Sequence, residues 1–492
     1  MAVIRHTFDV PLGTPPGIYQ VALRVFNGDS KLSTTSPRGI ATNRNILLGP
    51  FTLRKAEAGR ATALPPLHGS KLNVGTSLRL LGYQLGDAGR WLGEGVGLIA
   101  YWQALRKMPQ DYRVSVRLTD DAGHLWGQAD NQPGDSFYPT TLWDENEIVA
   151  DRYNVVPVLG TPPGSYNLEL QVYSLEKMQS LEVLDENFSP TGTTVKLGRV
   201  HVPFLQVSEK PGVSSVLAGP RVKVGDYVEL LGLGLSAEVA RPGQRLGVTS
   251  LWRALDKLSA DYDLRLELQD EAGGVWAQGS FRLGGGDYPT SKWAGDWPVR
   301  GQYDLVLRPD APSFDGRLVA TLSDPDKSTR SGSVAIARIP VKSRERIFVP
   351  PPITSPLVAN LSPHVQFLGF ELPSREIRPG GDIKLTLFWK ATGRMDKSYT
   401  VFTHLLDPAN RIWGQKDSIP GGGGLPTTGW LEGEIIVDTY VIPVKSDAPR
   451  GEYEIEIGMY DASTGQRLDV SNDKGEAQGD RILLGKVRVV DG

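Results

Sequence analysis

The chain has 492 residues, a formal net charge of −3 and no cysteine. Its basic residues are scattered, which leaves no electrostatic footprint for nucleic acid. Without cysteine, disulfide frameworks, cysteine-ligated zinc and cysteine nucleophiles are excluded. No run of 18 apolar residues marks a membrane-spanning helix, and Met1–Val10 reads as no secretory signal. The 56 Gly and 36 Pro are spread throughout, as expected for many short strands joined by turns.

In chain order, residues 1–56 read as the C-terminal half of a β-sandwich repeat. Pro16-Gly17-Ile18-Tyr19 opens a strand in which Tyr19, Val21, Leu23 and Val25 alternate with polar or small residues, and Ile46–Phe51 closes the segment. Two readings of this piece stand side by side. It is either cut from a longer polypeptide, or completed by strands of another chain pairing with its edge. A linker at Glu57–Ser70 precedes the first full copy, 71–206. Here Val96, Leu98, Ala100 and Trp102 share one strand face, and Tyr112, Val114, Val116 and Leu118 share the next. Asp120-Asp121-Ala122-Gly123 supplies the following hairpin turn.

A second linker, Val207–Pro220, leads to a divergent copy at 221–343. Its matching strands carry Leu246, Val248, Ser250 and Trp252, then Tyr262, Leu264, Leu266 and Leu268, with the turn at Glu271–Gly274. The Pro-rich stretch Val349–Pro356 reads as a semi-rigid spacer. The last copy, 359–492, carries Ile383, Leu385, Leu387 and Trp389 on one face and turns at Asp407–Asn410.

The copies share one register. Trp102, Trp126 and Trp143 recur as Trp252, Trp276 and Trp293, and again as Trp389, Trp413 and Trp430, always 24 and then 17 residues apart. A Gly precedes each first Trp (Gly82, Gly232, Gly369), a Tyr follows it (Tyr112, Tyr262, Tyr399), and a Pro-Thr pair precedes each third Trp. A repeat of about 140 residues is domain-sized. The expected fold is all-β: tandem antiparallel sandwiches, immunoglobulin-like or jelly-roll, three complete and one N-terminal half.

Chemistry is harder to find. None of the six histidines recurs between copies, and no pair has metal-ligand spacing. Asp144–Glu147 and Asp473–Asp480 are acidic loops with oxygen ligands suited to Ca²⁺, or simply solvated loops. The turn acids Asp121, Glu271 and Asp407 read as local acceptors of backbone hydrogen bonds. Gly421–Gly424 reads as a flexible loop. Trp102, Trp252 and Trp389 share a face with aliphatic residues and belong to the core. Trp143, Trp293 and Trp430 follow the Pro-Thr loop; they either pin it or present a flat ring to a glycan. Trp91 and Trp297 lie outside the repeat.

The last copy also carries a resemblance. It reads Arg378-Pro379-Gly380-Gly381-Asp382, Leu387-Phe388-Trp389-Lys390-Ala391, Pro426-Thr427-Thr428-Gly429-Trp430 and Ala448-Pro449-Arg450-Gly451-Glu452-Tyr453. These stretches resemble the β-sandwich modules of extracellular regions in Chloroflexi-type bacterial surface proteins, often appended to membrane glycosyltransferases of the protein mannosyltransferase group. The resemblance is strong over 359–492, fair over 71–206, and weak over 221–343, where the Tyr reads as replaced by Leu318. It implies a location outside the cell, and its motif carries no catalytic residue.

The expected function is therefore a non-catalytic spacer or interaction scaffold of a bacterial surface protein, with no enzyme activity, metal or cofactor. Glycans or other surface proteins are the expected partners, together with self-association through residues 1–56. Two alternatives are a carbohydrate-binding array that uses Trp143, Trp293 and Trp430, and a filament or surface layer closed by strand exchange.

Overall fold

In the computed structural model, alternating apolar residues pair into sheets that are antiparallel apart from the short parallel pairing of Glu376–Ile377 with Arg488–Val489. The described residues are 7–55 with several breaks, then 64–86, 95–203 and 221–490 with breaks of one to four residues. The chain divides into two units, Met1–Glu209 and Lys210–Gly492.

The first unit opens with a hairpin of β1 (Gly17–Leu23) and β2 (Ile46–Leu53). A sandwich follows: β3 (Leu72–Val74), β4 (Leu78–Leu85), β5 (Val96–Ala104), β6 (Tyr112–Thr119), β7 (Leu125–Asn131), β8 (Ile148–Val155), β9 (Gly164–Ser174) and β10 (Val195–Val202). One sheet has the order β8-β5-β4-β3; in the other, β6 lies between β7 and β9, and β10 flanks β9. The chain crosses between sheets after β5, returns to place β8 beside β5, and crosses again to place β9 beside β6. That connectivity is the immunoglobulin-like Greek key rather than a jelly roll.

The second unit repeats this plan twice. Its first sandwich holds β11 (Val222–Val224), β12 (Val228–Leu235), β13 (Arg245–Ala254), β14 (Asp263–Gln269), β15 (Val275–Arg282), β16 (Val299–Val306), β17 (Phe314–Asp324) and β18 (Val334–Val341). The next holds β19 (Ser355–Leu361), β20 (Val365–Glu371), β21 (Asp382–Ala391), β22 (Tyr399–Leu406), β23 (Ile412–Gln415), β24 (Ile435–Pro443), β25 (Gly451–Asp461) and β26 (Ile482–Val489). Pairing in β19 begins at Ser355, so the end of the Pro-rich stretch belongs to the last sandwich, with Pro356 beside a bulge. The linkers expected at 57–70 and 207–220 lie largely or wholly outside the described residues.

The repeated side chains explain the repeated fold. Trp102, Trp252 and Trp389 sit fully buried between the sheets. A turn aspartate holds each second tryptophan. Asp120 accepts from the Ala122 and His124 amides at 2.9 Å and from Trp126 Nε1 at 3.0 Å. Asp270 does the same for the Gly274 amide and Trp276 Nε1, and Asp407 for the Ala409 and Arg411 amides and Trp413 Nε1. The working acids in the first two full copies are thus Asp120 and Asp270. The expected residues, Asp121 and Glu271, stand one position later, and Asp121 pairs outward with Arg199.

A tyrosine closes the corner before the strand that follows. Tyr19, Tyr166 and Tyr453 donate to the carbonyls of Pro15, Pro162 and Pro449 at 2.6, 2.7 and 2.5 Å. In the divergent copy the register puts Gly316, not Leu318, at this position. Tyr112 pairs with Ser174, eight residues past Tyr166, and Asp263 pairs with Ser323, seven past Gly316. Phe314, two residues earlier on the same face, fills the space instead. Its ring lies 6.0 Å from that of Trp276, as Tyr166 lies 5.7 Å from Trp126. Gly316 is required there, because a Cβ would stand 2.8 Å from the Ile339 carbonyl.

Candidate interaction surfaces

The three tryptophans proposed as glycan platforms are buried: Trp143 and Trp430 at 0% and Trp293 at 6% exposure. They pin their loops. Their Nε1 groups donate to the carbonyls of Tyr138, Tyr288 and Leu425 at 3.0, 3.1 and 2.9 Å. The neighbouring Thr140, Thr290 and Thr427 hydroxyls bridge this loop to the start of the next sheet. Each accepts from a strand amide (Tyr112, Tyr262, Tyr399) and donates to a carbonyl two residues earlier. A buried ring offers no stacking face, so the platform assignment fails at all three positions. Trp297 is half-buried, and Trp91 lies outside the described residues.

The Asp144–Glu147 loop, open in sequence to Ca²⁺ or to solvent, already holds a cation. Lys55 Nζ lies 2.6 Å from Asp144 and 2.9 Å from Glu147, and donates to the Leu142 carbonyl. Lys55 belongs to the segment after β2, so this contact ties the N-terminal hairpin to its neighbouring sandwich. Gly13 adds a second tie by accepting from the Ala150 amide at 2.8 Å. In the Asp473–Asp480 loop, Asn472 caps the turn through the Lys474 and Glu476 amides. The glycine run is also held: Gly421 donates its amide to the buried carboxylate of Asp438 at 2.8 Å, as Gly134 does to Asp151 at 3.0 Å.

Two features remain open to partners. The first is the inner face of the hairpin. Gly49 matches Gly198 and Gly485, all with positive φ at the same bulge, and this fixes the correspondence between hairpin and sandwich. Leu23, Ile46 and Leu48 then match Leu170, Val195 and Leu197. The sandwich residues are 0%, 4% and 4% exposed; the hairpin residues are 39%, 43% and 46% exposed. Of these, Leu48 lines a groove of about 630 Å3 together with Tyr19, Val21 and Phe51. The far edge of β1 also lacks a partner among the described strands, whereas β9 pairs on both sides.

The second feature is the junction inside the second unit. Glu434, fully buried, receives Arg344 on Oε1 and Arg346 on Oε2. Arg346 also donates to the carbonyls of Gly429 (3.0 Å) and Pro309. Ile435 donates to the Ile347 carbonyl at 2.7 Å, and Thr428 to the Gly243 carbonyl at 2.8 Å. The segment joining the two sandwiches is therefore fastened to both. The buried carboxylate is paired at both oxygens, and Oε2 also accepts hydrogen bonds from Arg346 and the Leu431 amide.

On the outer face of the last sandwich, His404 lies 2.9 Å from Glu456 and 3.4 Å from Asp417, and Arg481 reaches Glu456 at 2.8 Å. Arg467 stacks on Phe402 at 4.1 Å. Burial works against charge on His404, but the two carboxylates outweigh it and raise its pKa to about 9. Burial likewise opposes charge on Glu456, and the hydrogen bonds from His404 and Arg481 bring it down to about 2. Its members satisfy one another, which marks the cluster as structural.

Sequence reading missed the Arg344–Arg346–Glu434 triad and the His404 cluster. Each joins residues far apart in the chain; only the Arg-x-Arg spacing just before the Pro-rich stretch was visible. Compared with known proteins, the chain matches no family model and no curated sequence.

Proposed function

We propose that the chain is a non-catalytic spacer and interaction scaffold, set outside the cell in a bacterial surface protein. One observation carries the reading: the recurring residues serve folding. The tryptophans fill cores or pin loops, the aspartates and threonines satisfy backbone and indole groups, and the tyrosines close corners. The resemblance of the last copy to extracellular β-sandwich modules supplies the location. The buried triad at the junction supports a fixed spacing between the two sandwiches of the second unit.

Constant-velocity pulling of the full chain tests this. A row of independently folded sandwiches gives three principal unfolding events, each releasing about 400 Å of chain, at roughly 3.3–3.6 Å per residue. A single event for the whole chain would contradict the spacer reading.

The open hairpin face favours a second reading beside the first. Its occupant is a strand set of the same repeat, corresponding to β3–β8, in which the strand equivalent to β6 pairs with the free edge of β1. In the complete copies that set covers these very positions. Carried by another polypeptide, it would make the hairpin an assembly element.

A further inference from the structure

We propose that the junction pocket of the second unit binds a compact oxyanion, a phosphate group either free or carried on a saccharide. The pocket, about 40 Å3, is lined by Arg241, Gln244, Lys342, Arg344 and Arg346. That volume exceeds the roughly 10–15 Å3 needed for one water. Arg241 and Lys342 are exposed at its rim, and Arg344 and Arg346 are half-buried at its base.

Four cations converge there, and the one nearby carboxylate, Glu434, is shared by the two at the base. Arg241 and Lys342 have no carboxylate partner among the described residues. Arg344 Nη2 is buried without a hydrogen-bond partner, as is Glu434 Oε1, the oxygen that pairs with Arg344 Nη1. A buried unsatisfied donor calls for a missing acceptor, and forked guanidinium groups match the geometry of a phosphate. The Gln244 amide adds a neutral donor. Burial lowers the Arg344 pKa, and nearby Arg346 adds to this while Glu434 opposes it; an anion in the pocket relieves the same repulsion. Such a ligand would bridge residues of both sandwiches and reinforce the junction.

The test is isothermal titration calorimetry of the full chain with inorganic phosphate and with glucose 6-phosphate, at fixed ionic strength. The expected result is saturable binding at about 1 mM or tighter. It should weaken about tenfold or more in the Arg241→Gln/Lys342→Gln variant, because each charge-assisted contact is among the stronger hydrogen bonds. Both substitutions are at exposed positions, and an unchanged melting temperature confirms that the variant is folded. Tighter binding of glucose 6-phosphate points to a saccharide-borne group, and equal or weaker binding to the free ion. No saturable heat with either probe, or equal affinity in the variant, overturns the proposal.

Discussion

Trp430 and Trp143 show how one residue type serves two different readings until burial is known. Both follow a Pro-Thr loop, and loop position alone is compatible with display or with anchoring. Anchoring holds because the indole N–H finds a carbonyl five residues back while the ring fills the core. Trp430→Ala should therefore destabilise the last sandwich by about 3–5 kcal/mol in chemical denaturation, as large-to-small core changes do. A variant of unchanged stability would refute that role. The His404 cluster makes a pH prediction at the same scale. His404 is raised from 6.5 to about 9, so its contribution is complete below pH 6.5 and is lost as pH rises through 9. Glu456 is lowered from 4.5 to about 2, so its contribution is present above pH 4.5 and is lost as pH falls through 2. Thermal melts between pH 6.5 and 9.5 should show a falling melting temperature that His404→Gln flattens. Identical slopes in both proteins would exclude the histidine.

At the scale of elements, strand alternation made the sandwiches legible, because a half-buried strand shows its inward face every second residue. Register was less legible. The divergent copy moves its corner aromatic from the position of Gly316 to Phe314, and only strand pairing reveals the exchange. The turn acids slipped by one for the same reason: Asp120-Asp121 and Asp270-Glu271 each offer two carboxylates, and the hydrogen bonds choose the first. The hairpin β1–β2 was readable as half a repeat, but its open face needed coordinates. Leu48→Asp places a charge on that face and touches no complete core. The melting of the sandwiches should stay unchanged. A labelled peptide spanning 110–119, which contains β6, should bind the wild-type chain and lose binding to Leu48→Asp in fluorescence anisotropy. Equal binding to both would place the docking edge elsewhere. Concentration-dependent mass in light scattering, lost in Leu48→Asp, would instead assign the face to a second copy.

For the whole molecule, the central claim is that the sandwiches of the second unit are held at a fixed spacing. The Pro-rich stretch suggested stiffness by composition. The structure supplies a stronger cause in the Arg344–Glu434–Arg346 triad, which composition could not show because its members lie about 90 residues apart in sequence. Removing one partner of such a buried set leaves uncompensated charge, at a cost of about 3–5 kcal/mol. Glu434→Ala should thus free the junction while each sandwich keeps its own core. The most direct measurement is the distance between spin labels on Lys223→Cys and Lys474→Cys, two exposed positions in a chain with no other cysteine. Double electron–electron resonance should give a narrow distribution in the otherwise wild-type chain and a broad one when Glu434→Ala is added. A broad distribution in both would contradict the account, because the two sandwiches would then move freely about their linker.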